Sequence, residues 1–251
     1  MDYKKISRIL IIMFCCALFL NITAYAFGVP AFNFVHEAAG PKETALSLQI
    51  MFLLTILALA PSILIMTTCF TRIIIVLSFL RQALGTRQLP PNQLLVGLAL
   101  FLTMFIMMPV WNEINTKALA PYTANEISQK QAFENGLVPL RKFMLTNARE
   151  KDLALFISIA KISKPESAHE VPMRVLIPAF IISELKTAFI MGFLLYLPFL
   201  IIDLVVASVV MSMGMMMLPP VLISMPFKLL LFILIDGWYL IIKALVGSFY
   251  L

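Results

Sequence analysis

After residue 40, three long stretches of this sequence carry no charged side chain, and they restrict the possible folds more than any other feature: residues 44–71, 89–112 and 204–227. At about 1.5 Å per residue, a helix over any of them is long enough to cross the ~30 Å hydrocarbon core of a bilayer. Hydrophobic residues make up 61% of the chain and charged residues 13%, whereas about a quarter of the residues in soluble domains are charged. The sequence therefore predicts an all-α, membrane-associated protein made of helical hairpins.

The N-terminus has the layout of a secretory signal peptide. Residues 4–8 include three basic side chains, residues 9–20 are apolar, and Ala24-Tyr25-Ala26 provides small residues on either side of a tyrosine. The apolar part is shorter than the roughly 20 residues that a spanning helix needs. We expect a signal peptide over residues 1–26, with cleavage between Ala26 and Phe27. The alternative is an uncleaved first transmembrane helix.

The remaining chain is expected to contain three segments. Residues 27–112 form an N-terminal arm and a first helical hairpin, whose basic turn faces the cytoplasm by the positive-inside rule. Residues 113–171 are polar, with apolar residues at helical spacing, which predicts amphipathic periplasmic-side helices with an interruption near Thr146-Asn147. Residues 172–251 are apolar again and form a second hairpin, with its second arm running to about Phe249.

Five charged residues lie inside the apolar segments of the C-terminal half: Glu184, Lys186, Asp203, Lys228 and Asp236. A charge at the centre of a lipid-exposed helix costs about 2.5–3.5 kcal/mol on insertion scales. Their partners must therefore come from other helices or from other subunits. Ordinary ion pairs within one bundle and a water-filled pathway or intersubunit clasp both satisfy this requirement.

The most unusual stretch contains Met215, Met216 and Met217 between Gly214 and Pro219-Pro220. Glycine weakens a helix and the two prolines cannot continue one, so the three methionines are predicted on a loop or a helix end. Methionine is apolar and adaptable, and a ring of such side chains from several subunits could form a deformable seal. Alternatively, they are ordinary apolar residues of a methionine-rich protein.

Motifs of the common enzymes are absent from the sequence. It contains no Walker loop, dinucleotide fingerprint, zinc-protease His-Glu pair or Gly-x-Ser-x-Gly elbow. The net charge is +6, but no run of basic residues with interleaved aromatics occurs, so nucleic acid is not expected as a partner. The sequence therefore predicts a protein that is not an enzyme and uses no cofactor or metal.

Five motifs of the C-terminal half resemble those of the FliP family, the flagellar type III export-gate proteins with injectisome relatives. They cover residues 171–180, 183–189, 198–205, 213–220 and 226–232. Leu80-Arg-Gln-Ala-Leu-Gly and Pro90-Pro-Asn-Gln extend the resemblance into the N-terminal half. The cleavable signal favours the flagellar branch.

The resemblance implies that several copies, five in this family, assemble with FliR and FliQ into a multi-subunit helical pore. This core would associate with FlhB and FlhA in the bacterial inner membrane at the flagellar basal body, and would extend to the periplasmic side. Unfolded flagellar rod, hook and filament subunits would pass through it. The resemblance also implies that the assembled helices lie largely above the membrane plane.

The resemblance also implies roles for individual residues. Met215, Met216 and Met217 would form the gasket of the pore. Glu184 would pair with Arg149 across a subunit interface.

Two phenylalanines, Phe143 and Phe156, would make apolar contacts between subunits by the same resemblance. It assigns no role to the other central charges. The alternative function belongs to a different class of protein: a self-contained ion or solute transporter that uses those charges. An assembly scaffold without a pore is a third candidate.

Overall fold

The computed structural model describes residues 41–86, 89–162, 170–215 and 219–249, and all regular secondary structure in these residues is helical. The elements are α1 (Pro41–Thr67), α2 (Phe70–Ala83), α3 (Asn92–Ile114), a π-helical turn (Asn115–Leu119), α4 (Ala120–Thr123), α5 (Gln129–Asn147), α6 (Glu150–Ile159), α7 (Met173–Ser212), α8 (Pro220–Leu234) and α9 (Gly237–Gly247). The predicted signal peptide, with its cleavage site between Ala26 and Phe27, lies outside the described residues.

Three helical stretches are long and apolar enough to cross a membrane: Ser47–Thr67, Asn92–Thr123 and Met173–Ser212. Helices α8 and α9 form a fourth candidate if they are taken as one span, although they are bent by 66°. The prediction of an all-α membrane protein is confirmed. Helix α7 has 40 residues and is about 60 Å long, roughly twice the thickness of the hydrocarbon core.

The chain divides into two compact units, Met1–Ala58 and Leu59–Leu251. The described part of the first unit is the beginning of α1, where large apolar side chains such as Phe52 and Leu57 are exposed. Exposed apolar side chains along a helix of this composition require cover from lipid or from another protein.

The core of the second unit forms where α2 packs against α7. Ile73, Leu77 and Leu80 lie on one face of α2 and are buried, as their spacing of three and four residues requires. Opposite them, a Cβ atom added to Gly192 of α7 would lie 2.5 Å from the ring of Phe79. Glycine is therefore what allows the two helices to approach this closely.

Two helices of the polar segment, α5 and α6, pack on α7. A capping box begins α5, because the Ser128 side chain and the Gln131 side chain each bind the other residue's backbone N–H. Helix α5 ends at Asn147 and α6 begins at Glu150. The predicted interruption near Thr146-Asn147 is therefore confirmed.

The C-terminal arm, which was expected to run to about Phe249, consists of two helices, α8 and α9. It bends between α8 and α9, where Asp236 has a left-handed backbone with φ of 52°. Next to it, Gly237 is buried against the ring of Phe232, which leaves no room for a Cβ atom. The bend depends on this close contact between a glycine and an aromatic ring.

Candidate functional site

A fully buried ion pair joins α2 to α7. The Nε atom of Arg72 donates a hydrogen bond of 2.9 Å to Oε2 of Glu184, and its Nη2 atom donates to Oε1. The two side chains are 3% and 0% exposed. This bidentate arrangement satisfies both carboxylate oxygens and is the strongest geometry available to such a pair.

The same arginine also holds the C-terminal end of α9. Its Nη1 atom donates to the backbone oxygen of Ser248 at 2.7 Å and to the Ser248 hydroxyl at 3.0 Å. The guanidinium carbon lies 3.8 Å from the ring centre of Phe249, within cation–π distance. Arg72 therefore connects three helices through one side chain.

A second ion pair joins α7 to α8. The Nζ atom of Lys228 donates to Oδ2 of Asp203 at 2.6 Å, and the hydroxyl of Ser224 donates to Oδ1. Lys228 is fully buried, whereas Asp203 is partly exposed. Two of the charges that the sequence left without an assigned partner therefore neutralise each other within one chain.

A third network lies at the start of α6. Arg149 donates from Nε and Nη2 to the two oxygens of Asp152, at 2.8 and 2.9 Å. The hydroxyl of Ser183 on α7 donates to the same carboxylate at 2.6 Å. Burial raises the pKa of Asp152, but the hydrogen bonds from Ser183 and Arg149 outweigh it, so this pKa lies below its ordinary value.

These contacts bear on the predicted pairing of Arg149 with Glu184 across a subunit interface. Within one chain, Glu184 binds Arg72 and Arg149 binds Asp152, so an intersubunit pair requires both residues to exchange partners. A single chain does not test that pairing, which stays a prediction. The partners Arg72 and Asp152 were not selected from the sequence, although the spacing of three residues between Arg149 and Asp152 is typical of helix ion pairs.

The remaining two central charges lie on the surface. Lys186 and Asp236 are exposed and have no ion-pair partner among the residues that the structure describes. Their roles stay unassigned.

The two predicted interface phenylalanines lie in or beside the core. Phe143 is buried, and its ring centre is 5.9 Å from that of Phe180 and 6.4 Å from that of Phe249. Phe156 is half-buried and packs against the same core. Their proposed contacts with other subunits stay predictions.

The methionine loop begins after α7 ends at Ser212. Gly214 adopts a φ of 76°, which suits glycine, and Met215 follows it on the loop with 40% of its surface exposed. Met216 and Met217 lie outside the described residues. A wholly apolar groove of about 620 Å³ opens beside Met215 between α7 and α8. Its lining comprises Ile201, Ile202, Val205, Val206, Val209, Val210, Met213, Met215, Ile223 and Phe227.

Among the residues that the structure describes, no three His, Cys, Asp or Glu side chains lie close enough together to bind a metal ion. Burial raises the pKa of the Cys69 thiol to about 12, and a hydrogen bond with the Thr103 side chain only partly offsets this effect. Cys69 therefore stays a protonated, inert thiol at neutral pH.

Buried ion pairs between long helices with exposed apolar surfaces define an all-α integral membrane protein. Comparison with known proteins specifies it further. The model of the FliP family matches residues 53–245, more than half of the chain, and the chain belongs to that family.

Relatives named flagellar biosynthetic protein FliP occur in several bacteria. The Bacillus subtilis protein is 56% identical over 215 residues, which cover 86% of this chain and 97% of the relative. The Pectobacterium carotovorum protein is 56% identical over 211 residues, covering 84% and 82% of the two chains. The Aquifex aeolicus protein is 55% identical over 205 residues, covering 81% and 86%.

Proposed function

We propose that this chain is a core subunit of the flagellar type III protein-export gate, and that it takes part in flagellum biogenesis. The observation that carries the proposal is the match to the FliP family over residues 53–245, together with relatives named for flagellar biosynthesis. In this role the chain is a passive conduit without a catalytic step. Unfolded rod, hook and filament subunits pass through the channel that its copies form.

The proposed assembly contains several copies of the chain, five by resemblance, with FliQ and FliR, and it associates with FlhB and FlhA. Its place is the inner membrane at the flagellar basal body, with an extension to the periplasmic side. The proposed subunit consists of the segments 27–112, 113–171 and 172–251, which follow a signal peptide over residues 1–26. Helix α7 supports it, because about 60 Å of helix exceeds what one bilayer crossing needs.

Met215, Met216 and Met217 form the proposed gasket of the channel. The exposed position of Met215 on a loop beside an apolar groove supports this role, since flexible thioether side chains can seal against ions and still yield to a passing chain. Replacing all three with alanine should make the inner membrane leak ions or small molecules. A matched control replaces three exposed methionines of α1 and α3: Met51, Met104 and Met108. Equal permeability of the two variants would contradict the gasket role of the three loop methionines.

The proposed intersubunit clasp between Arg149 and Glu184 has a separate test. Arg149→Ala removes the cation, whereas Asp152→Asn removes the local carboxylate and leaves Arg149 free to bind a neighbour. If the clasp forms, oligomer assembly should fail in the first variant and persist in the second. Native gel electrophoresis of the purified complex measures both, and equal behaviour of the two variants would contradict the clasp.

The self-contained transporter is less well supported by the contacts. A proton- or ion-coupled site needs charged groups that can exchange partners with the transported ion. In this chain Arg72 donates hydrogen bonds to both carboxylate oxygens of Glu184. Lys228 and Ser224 donate to the two carboxylate oxygens of Asp203. An experiment separates the two functions: a mutant lacking the gene should lose flagellar protein secretion, and the purified chain in vesicles should drive no coupled solute uptake.

A further inference from the structure

A cavity of about 470 Å³ with four polar side chains in its lining lies beside the end of α2. It opens between the last turns of α2, the turn that follows, and the first turn of α8. Its lining comprises Ser78, Arg81, Gln82, Gly85, Thr86 and Val221. Arg81 is the charged member of this set and no carboxylate belongs to it, so the cavity favours an anion.

The guanidinium group of Arg81 is held in place but not neutralised. Its Nη1 atom donates to the amide oxygen of Asn92, the first residue of α3. Among the described residues, Arg81 takes part in no salt bridge. A planar guanidinium fixed at one corner retains further N–H groups for a bidentate acceptor, and phosphate is the acceptor that matches this geometry.

The surroundings of the cavity match those of a site at the depth of lipid headgroups. Two candidate membrane spans begin beside it, at Asn92 and at Pro220. Leu89 and Leu222 near these span ends are 66% and 65% exposed, and Leu94 is exposed as well. An arginine at the end of apolar spans, with exposed leucines around it, is typical of a residue at the boundary between headgroups and acyl chains.

We propose that this cavity binds the phosphate group of an anionic phospholipid, with Arg81 as the charged donor and Gln82 as a neutral one. The exposed leucines contact the acyl chains of the same lipid. The site is separate from the proposed export function, since it needs neither the methionine loop nor a second copy of the chain.

The test measures lipid binding to the full-length chain, purified in detergent, by native mass spectrometry. The probes are phosphatidylglycerol, zwitterionic phosphatidylcholine and inorganic phosphate. Arg81→Gln should weaken phosphatidylglycerol binding roughly fivefold, the ratio expected for losing one basic contact to an anionic surface. Arg81→Lys keeps the charge without the planar fork and should lose less. Lys243→Gln is the matched control, because it removes one exposed cation from α9, outside the cavity.

A second variant keeps both Arg81 and Asn92 in the chain. Val221→Glu adds a carboxylate to the cavity lining at the first turn of α8, where an acidic residue is favourable for the helix. It should weaken phosphatidylglycerol binding at least as much as Arg81→Gln, with no change for phosphatidylcholine. Unchanged binding in both variants, or an equal loss in Lys243→Gln, would overturn the site. If inorganic phosphate binds as tightly as phosphatidylglycerol, the proposal of a lipid ligand is wrong and the cavity is a site for the free anion.

Discussion

Removing the Glu184 carboxylate is the sharpest perturbation of the second unit. Glu184→Ala leaves the guanidinium of Arg72 buried with only Ser248 and Phe249 as neighbours for its charge. Breaking a buried ion pair from one side costs about 3–5 kcal/mol, because the remaining charge is neither solvated nor paired. Glu184→Gln should cost less, about 1.5–3 kcal/mol, since a carboxamide oxygen still accepts one hydrogen bond from the arginine.

The measurement is denaturant unfolding in detergent micelles, followed by the helical circular dichroism signal. A double-mutant cycle isolates the pair: Glu184→Leu, Arg72→Met, and the two together. Because the double variant leaves no buried charge behind, its loss of stability should be far smaller than the sum of the two single losses. Glu134→Ala is the control, since this carboxylate is exposed on α5 and its removal should change stability by no more than about 0.5 kcal/mol.

Two results would refute the reasoning about this pair. One is a loss below about 1 kcal/mol for Glu184→Ala, which would mean that water reaches Arg72 in the folded chain. The other is additivity in the cycle, which would mean that the two side chains do not interact.

Two further predictions concern packing and pH. Gly192→Ala should destabilise the chain by about 1–3 kcal/mol in the same unfolding assay, because the new Cβ would overlap the Phe79 ring, whereas Gly97→Ala meets nothing within 4 Å and should be harmless. Since the folded pKa of Asp152 is lowered, its contribution to stability is complete above the ordinary aspartate pKa and is lost as the pH falls through the lowered value. Asp152→Asn should therefore make unfolding less dependent on pH in the acid range, and an unchanged acid dependence would show that another group controls it.

Some features of the fold could be predicted from the sequence because they depend on neighbouring residues alone. Long charge-free stretches require helices in a membrane protein, and the break near Thr146-Asn147 follows from the end of the apolar periodicity. The turn at Gly214 follows from local chemistry as well, since glycine tolerates the left-handed backbone and the prolines after the loop stop a helix.

The partners of the central charges could not be predicted in this way. Periodicity shows which face of a helix a residue occupies, but not which distant residue packs against that face. Glu184 binds Arg72, which is 112 residues away in the chain. The left-handed conformation of Asp236 could not be predicted from the sequence either, because it depends on how tightly Gly237 packs against the ring of Phe232.

The apolar surface of α7 explains why pairing the charges is not sufficient for a solitary chain. Exposed large apolar side chains extend along this helix from Ile182 to Met211, 29 residues apart, which corresponds to about 44 Å. A hydrocarbon core of ~30 Å covers that length only if the helix tilts by about 47°, beyond the usual range of roughly 0–40°. Part of this surface therefore needs cover from protein instead of lipid. Because Arg72 and Lys228 already neutralise the central carboxylates within the chain, contacts that cover this surface would be driven by apolar burial.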